Sequence, residues 1–327
     1  MKKPQSKKPL ATVNLAEEVT KGFCSEQDKL GARLERYSIA KRRALENLQT
    51  LDETIPASIE HGVAIEKAIS RLKGCGNYLT FHHYYTVGAV KLAKARFCMQ
   101  TLLCPFCAIR RASKTLEAYL TRYRILMAVN PNWRLSMITL TVKNGDDLAE
   151  RFQHLQKAVQ RVFERRRDWL KKGRGLTEWR KVHGYVGTYE FTNKGSGWHP
   201  HAHIMVLHGV SFDYKALQAE WKEITGDSHV LNVTAAMHPT EPEKDFMEVF
   251  KYSVKFSDLS TEDNIYAWGV LKGKRLLFSG GAFRGVEVPD ILTDEPLDGL
   301  PYIELIYRYT SYGYSLESSL NKESSKA

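Results

Sequence analysis

The stretch Trp198-His199-Pro200-His201-Ala202-His203-Ile204-Met205-Val206-Leu207 sets two imidazoles one residue apart. In a strand, alternate side chains share a face. His201 and His203 then stand side by side, about 7 Å apart, while Ala202, Ile204 and Val206 line the other face. Paired imidazoles on a rigid strand, backed by an apolar face, suit a divalent metal ion. The bland reading is a strand with polar residues on its wet side. Glu190, in the strand before, could close a two-histidine, one-carboxylate ligand set with open positions for substrate. Strand parity alone leaves it equally readable as a surface glutamate. His199 shares the face of the pair but sits at the strand entrance before Pro200, as an outer or substrate-facing group.

A second group lies downstream. Glu248, Tyr252 and Lys255 are spaced to stack on one helical face. A carboxylate, a phenol and an ammonium together read as base, nucleophile and charge stabiliser; apart from the histidines they are an ordinary amphipathic helix. A phenol with a pKa near 10 is a poor nucleophile at neutral pH. A metal that polarises the target phosphate, or helps remove the phenolic proton, makes attack feasible.

The third group is cysteine. Cys104-Pro105-Phe106-Cys107 is a tight turn presenting two thiolates to one ion, and Cys75 and Cys98 could complete a tetrahedron around structural zinc. Buried or redox thiols are the rival, although no strand-turn-helix context supports a thioredoxin-like motif. Arg110, Arg111 and Lys114 follow directly, so this element could touch phosphate.

Elements must hold these groups in place. Residues 26–50 read as a helix with Ser25 as cap, and 57–72 as a second ending at Gly74. Leu135–Val142 is a strand. Asp146 can cap a long helix whose Leu148, Phe152, Leu155, Val159 and Val162 form one stripe. That helix ends in Arg165-Arg166-Arg167, followed by Lys171, Lys172 and Arg174, either a solvated face or a contact to DNA backbone. Tyr185–Thr192 is a strand joined through residues 193–197 to the histidine strand. Asp213 opens a helix with Leu217, Trp221 and Ile224 inward and Gly226 as its stop. A short strand over 230–233 and a helix over 242–256 follow. The order β-α-β-β-α-β-α predicts an α+β fold, an antiparallel sheet with helices mainly on one face, on a ferredoxin-like or RRM-like plan. Beyond it, 302–309 reads as strand or helix, and 315–327 as a frayed end.

The 327 residues carry a net charge of +11, which favours a polyanionic partner. Five cysteines in so long a chain do not make a disulfide framework. The basic start, Met1 to Pro9, lacks the apolar core of a secretory signal, and there is no run of 18 apolar residues, so the expected location is the cytoplasm and no membrane is expected as partner. No G-x-x-x-x-G-K-[ST] occurs, which argues against an ATP-driven helicase.

Three segments in order, Met137-Ile138-Thr139-Leu140-Thr141, then Trp198–His203, then Lys251-Tyr252-Ser253-Val254-Lys255, resemble the three motifs of rolling-circle replication initiators, the Rep proteins of small plasmids in the HUH endonuclease superfamily. The chain is most similar to the branch with a single nucleophilic tyrosine and a glutamate four residues before it, as Glu248 and Tyr252 stand here. The likeness covers roughly 75–285, because that branch also resembles the cysteine segment and Gly273-Lys274-Arg275-Leu276. The resemblance implies that His201 and His203, with Glu190, bind catalytic Mg²⁺ or Mn²⁺. It implies that Tyr252 attacks origin DNA, leaving a 5′-phosphotyrosine and a 3′-OH primer, that Glu248 later activates water, and that Lys255 neutralises developing charge. Implied partners are single-stranded or hairpin origin DNA, host helicase and DNA polymerase, and further copies of the chain at the origin, in a bacterial cytoplasm. The organisation expected is a disordered basic arm over 1–20, a helical N-terminal region over 21–74, a Cys-rich zinc-binding and DNA-contacting element over 75–130, the HUH endonuclease domain over 131–260 and a C-terminal extension over 261–327. A mobilisation relaxase or single-strand transposase would share the chemistry, but its extra tyrosine or histidine ligands are missing. A non-catalytic zinc DNA-binding regulator, or a hydrolytic metallonuclease, would use the same histidines and cysteines without a covalent step.

Overall fold

The structure, a computed structural model, describes residues 26–54, 62–236, 238, 240–250 and 259–322. The expected basic arm, Tyr252 and Lys255 lie outside these residues. Helices α1 (Glu26–Thr54) and α2 (Gly62–Lys73) precede the hairpin β1 (Tyr78–Tyr84) and β2 (Ala89–Ala95), then α3 (Pro105–Val129). Next come β3 (Arg134–Thr141), α4 (Leu148–Lys172), β4 (Val182–Asn193), β5 (Trp198–His208), α5 (Tyr214–Thr225), β6 (Leu231–Ala235) and α6 (Pro242–Phe250). The chain continues through α7 (Thr261–Leu271), β7 (Leu277–Gly281), β8 (Tyr302–Thr310) and β9 (Gly313–Lys322).

The histidine strand is central in a five-stranded antiparallel sheet ordered β6-β3-β5-β4-β7. Its first four strands, with α4 and α5, make the β-α-β-β-α-β unit of the ferredoxin-like plan, and β7 is added at the edge. Alternation along β5 decides what packs where. Ala202, Ile204 and Val206 are fully buried against the stripe of α4 and against Leu217 and Trp221 of α5. Asp147 rather than Asp146 caps α4, its carboxylate accepting from the N–H groups of Ala149 and Glu150. The cap falls one residue later than expected because Leu148 is already buried as the first residue of the stripe. Gly226 ends α5 in the left-handed conformation, as its position suggested.

The opposite face of the sheet is covered too. Met205, Leu207 and Val186 pack beneath Tyr119 and Leu120 of α3, Phe246, Val249 and Phe250 of α6, and Phe283. The histidines belong to this second face, at the end of β5 that these apolar residues leave open.

A second antiparallel sheet, β2-β1-β8-β9, packs Leu79, Phe81 and Leu92 against Tyr37 and Leu51 of α1 and Leu72 of α2. The C-terminal stretch expected to fray is, up to Lys322, an ordered strand paired along β8. Its start is clamped: Ser38 accepts the N–H of Tyr314, whose hydroxyl donates to the carbonyl of Gly76. Gly313 turns the hairpin at φ 118°, and a Cβ there would meet Oγ of Ser38 at 2.8 Å, so glycine is required. Helix α3 joins the two cores, its first turn lying in the core of the second sheet and its Tyr119 and Leu120 on the histidine face. No helix among the described residues is long and apolar enough to cross a membrane.

Candidate metal centre and nucleic-acid site

Register brings the donors together. Glu190 lies directly opposite His201, and Thr188 opposite His203, in the β4–β5 ladder. Paired residues of an antiparallel ladder share a face, so the carboxylate projects between the two imidazoles. Oε2 of Glu190 is 3.0 Å from Nε2 of His201 and 3.0 Å from Nε2 of His203. The other ring nitrogens are engaged elsewhere: Nδ1 of His201 donates to the carbonyl of His199 at 3.3 Å, and Nδ1 of His203 lies 3.1 Å from Oγ1 of Thr139. Both rings are thereby aimed with Nε2 toward one point. Such outer partners orient metal-bound histidines.

The residues fit a divalent ion. Bonds of about 2.1 Å in octahedral geometry separate adjacent donors by about 3.0 Å, the spacing found between the carboxylate oxygen and each imidazole. Three ligands leave further positions for water or a phosphate oxygen. Glu190 and His203 are buried and His201 is half-buried, so the centre opens on one side. His199 flanks that opening: its ring centroid is 5.3 Å from that of His201 and its Nδ1 is held by Asn144. Burial, then the neighbouring imidazole of His201, pulls His199 below the usual histidine range.

Helix α6 is fixed to the same spot. Oγ1 of Thr188, the residue paired with His203, donates to the carbonyl of Val249 at 2.9 Å. Phe246 and Phe250 meanwhile pack on Tyr123 and Tyr119 of α3. Glu248 is half-buried on this helix.

The cysteines come together as a separate cluster. Sγ of Cys75 is 3.6 Å from Cys104 and 3.5 Å from Cys107, and Cys98 is 3.5 Å from Cys107. A disulfide needs about 2.05 Å, whereas sulfurs bonded at about 2.3 Å around a tetrahedral ion sit about 3.8 Å apart. The spacing fits a metal and excludes a disulfide. Hydrogen bonds from the neighbouring thiols hold Cys75 well below the usual thiol range, and the bonds Cys104 shares with Cys107 and Cys75 push it up. Lys41 is buried beneath, its Nζ donating to the carbonyl of Cys75 at 2.6 Å and to Asn77 at 2.9 Å.

The arginines read as phosphate contacts divide. Arg110 is buried and spans Leu292, Tyr37 and Asp294, so it ties the chain together and does not face solvent. Arg165 is paired with Glu223, and Arg166 donates to the carbonyl of Val182 while stacking over Tyr185. Arg111 is half-buried and donates to the carbonyl of Pro289 and to the carboxylate of Asp290. Arg167 and Lys171 are exposed. A basic run reads alike in sequence whether its acidic partners are near or distant, and Asp294 lies 184 positions from Arg110. Asn144 and Lys41 escaped sequence reasoning, and Thr139 and Thr188 were given no role of their own. Each acts through a cross-strand or long-range contact that leaves no local pattern, though Thr139 does fall in a segment resembling a Rep motif.

Comparison with known proteins bears on this arrangement. A family model for a replication protein, Rep_1, matches residues 89–300. The chain is 26% identical over 242 residues to a Protein rep of Streptococcus pneumoniae serotype 2, covering 68% of this chain and 71% of that protein. It is 26% identical over 274 residues to a Protein rep of Bacillus amyloliquefaciens, covering 69% and 77%. A Protein rep of Staphylococcus aureus is 25% identical over 205 residues, covering 59% and 84%. No solved structure matches. The family match contains Glu190, both histidines and α6, and the chain belongs to the Rep_1 family of replication proteins, the plasmid replication initiators.

Proposed function

We propose that this chain starts rolling-circle replication of a plasmid by nicking single-stranded or hairpin origin DNA at one site, and rejoins the strand when a round is complete. The observation that carries the reading is the convergence of Glu190, His201 and His203 beside the anchored end of α6. Tyr252 follows Phe250 by two residues, and two residues of chain reach at most about 7 Å. On this reading the phenol reaches the phosphate held beside the paired imidazoles.

Glu190, His201 and His203 would hold Mg²⁺ or Mn²⁺, which when bound polarises the scissile phosphate as a Lewis acid. Tyr252 attacks phosphorus in line. The Tyr–O–P bond forms as the P–O3′ bond breaks, and the phenolic proton is balanced by the one the departing 3′-oxygen takes up. The products are a 5′-phosphotyrosine and a 3′-OH that primes a host polymerase. Glu248 stands four residues before Tyr252 and takes a proton from the water that ends the cycle, so one tyrosine suffices. Lys255 offsets charge on the phosphate. The cysteine cluster holds structural zinc. Strand separation falls to a host helicase, since the chain lacks a phosphate-cradling G-x-x-x-x-G-K-[ST] loop.

Incubating the protein with a labelled hairpin origin and Mn²⁺, followed by a denaturing gel, tests this. Wild type should give a covalent adduct and Tyr252→Phe should give none. Cleavage undiminished in Tyr252→Phe would mean a hydrolytic nuclease, and neither adduct nor cleavage from wild type would mean a DNA-binding regulator.

A further inference from the structure

A cavity of about 530 Å³ opens between the cysteine element and the large sheet, walled by α3, α7 and the middle of β4. Its volume is that of an ordinary small-ligand pocket. Arg71, Arg111, Lys272 and Lys274 stand around it, and among the described residues no aspartate or glutamate lines it. The cavity beside α2 differs in this respect, since Asp52 and Glu66 there balance Lys73 and Arg96. Within the cationic ring the lining turns apolar, with Leu102, Phe250, Leu271 and Leu276. Trp268, all but buried, shows the cavity only a small part of its indole, and Nζ of Lys272 lies 4.9 Å from its ring centroid. Gln100, Thr101 and Thr115 supply both donors and acceptors.

A cationic rim, an apolar interior and a few mixed polar groups define a ligand that is itself anionic at one end and apolar-faced with polar edges at the other. We propose that this cavity receives one unpaired nucleotide of single-stranded DNA, its base against Leu102 and Leu276 and its phosphate among Arg71, Lys272 and Lys274. Entry into such a cavity requires a base released from its duplex neighbours. Thr188 lines the cavity and pairs with His203, so the seated nucleotide lies next to the strand segment held at the metal centre. That adjacency to the scissile phosphate rests on the nicking reading; the pocket itself does not. The rim is stiffened by the cysteine cluster: Met99 to Leu103 lie between Cys98 and Cys104, and Met99 is held at φ 59°, the sole positive value at a non-glycine among the described residues. A left-handed methionine needs such bracing.

Binding measured in EDTA keeps the pocket separate from nicking. A short fluorescent oligothymidylate and a short duplex serve as probes, followed by anisotropy across a salt series. Lys272→Ala/Lys274→Ala should weaken single-strand binding about 10-fold and lower the salt slope by about 1.4, the share of two phosphate contacts to a single strand. Thr101→Trp fills the cavity at constant charge and should also weaken single-strand binding about 10-fold, the scale of one lost base contact, with duplex binding unchanged. Photocrosslinking of a 5-iodouracil oligonucleotide to the wild-type protein needs no variant and should label peptides spanning 99–115 or 259–277. Single-strand binding by folded Thr101→Trp equal to wild type, or crosslinks confined to other peptides, overturns the pocket. Should these succeed while the covalent adduct never forms, the pocket stands and the tyrosine chemistry falls.

Discussion

Thr139 carries more of the metal centre than its size suggests, because its hydroxyl is the partner that turns His203 toward Glu190. Thr139→Val keeps the shape and removes that partner. Its expected effect is a loss of Mn²⁺ affinity of about 10-fold, the lower end for outer partners of a metal site, read by titration calorimetry with the thermal midpoint little changed. Glu190→Gln removes a ligand charge and should lose more. That these three residues could meet was legible in the sequence: strand parity put both histidines on one face and left Glu190 as a candidate on the neighbouring strand. Parity says nothing of which residue on β3 meets His203, so Thr139 was not legible as its partner.

At the scale of elements, one side-chain bond adds direction to the apolar packing between β4 and α6. Thr188→Val removes the donor to the carbonyl of Val249 and leaves the β5 ligands in place. Nicking is expected to fall by roughly 10-fold, about 1.4 kcal/mol in transition-state terms, while Mn²⁺ affinity stays at the wild-type value; a parallel loss of both would mean that Thr188 supports the metal and not the helix. Helix α3 makes a second join. Its Cys107 sits in the sulfur cluster and its Tyr119 and Tyr123 bear on α6. Stripping metal with a thiol-specific chelator should therefore speed hydrogen exchange in α6 as well as around the cysteines. The α4 stripe, α5 and the histidine hairpin were readable because their apolar residues repeat at the helical or strand period. The second sheet was not, since its halves lie at opposite ends of the chain and only long-range pairing makes them one surface.

The whole molecule is closed by Asp294. Its carboxylate accepts from Arg33 and from Arg110, each at 2.6 Å, and from the N–H of Leu92 at 2.7 Å, tying the segment before β8 to α1, α3 and β2. Burial alone would raise its pKa; the two guanidiniums outweigh it and hold the group at about 2. A folded value below the ordinary one of about 3.9 means stability that is complete above about pH 5 and lost as the pH falls toward 2. Asp294→Asn should cost about 3 kcal/mol at pH 7, as for breaking a buried ion pair, and should flatten the acid limb in urea melts between about pH 5 and about pH 2.5. An unchanged acid limb would assign it to other carboxylates. Across the surface, the excess of +11 predicts that origin binding weakens steeply with salt; filter binding between low and moderate salt would show it, and a flat response would remove the role of the basic residues.

The pairing of β1 with β8, and of β8 with β9, has a bearing on when the protein can first act. A growing polypeptide that has already displayed both imidazoles and the phenol still lacks half of the sheet against which α1 and the sulfur cluster pack. Translation must run to the last strand before that support closes. On the nicking reading, an unfinished chain is thus poorly placed to act on origin DNA, and a premature stop just before β8, which begins at Tyr302, should yield a product that retains every chemical group and initiates nothing.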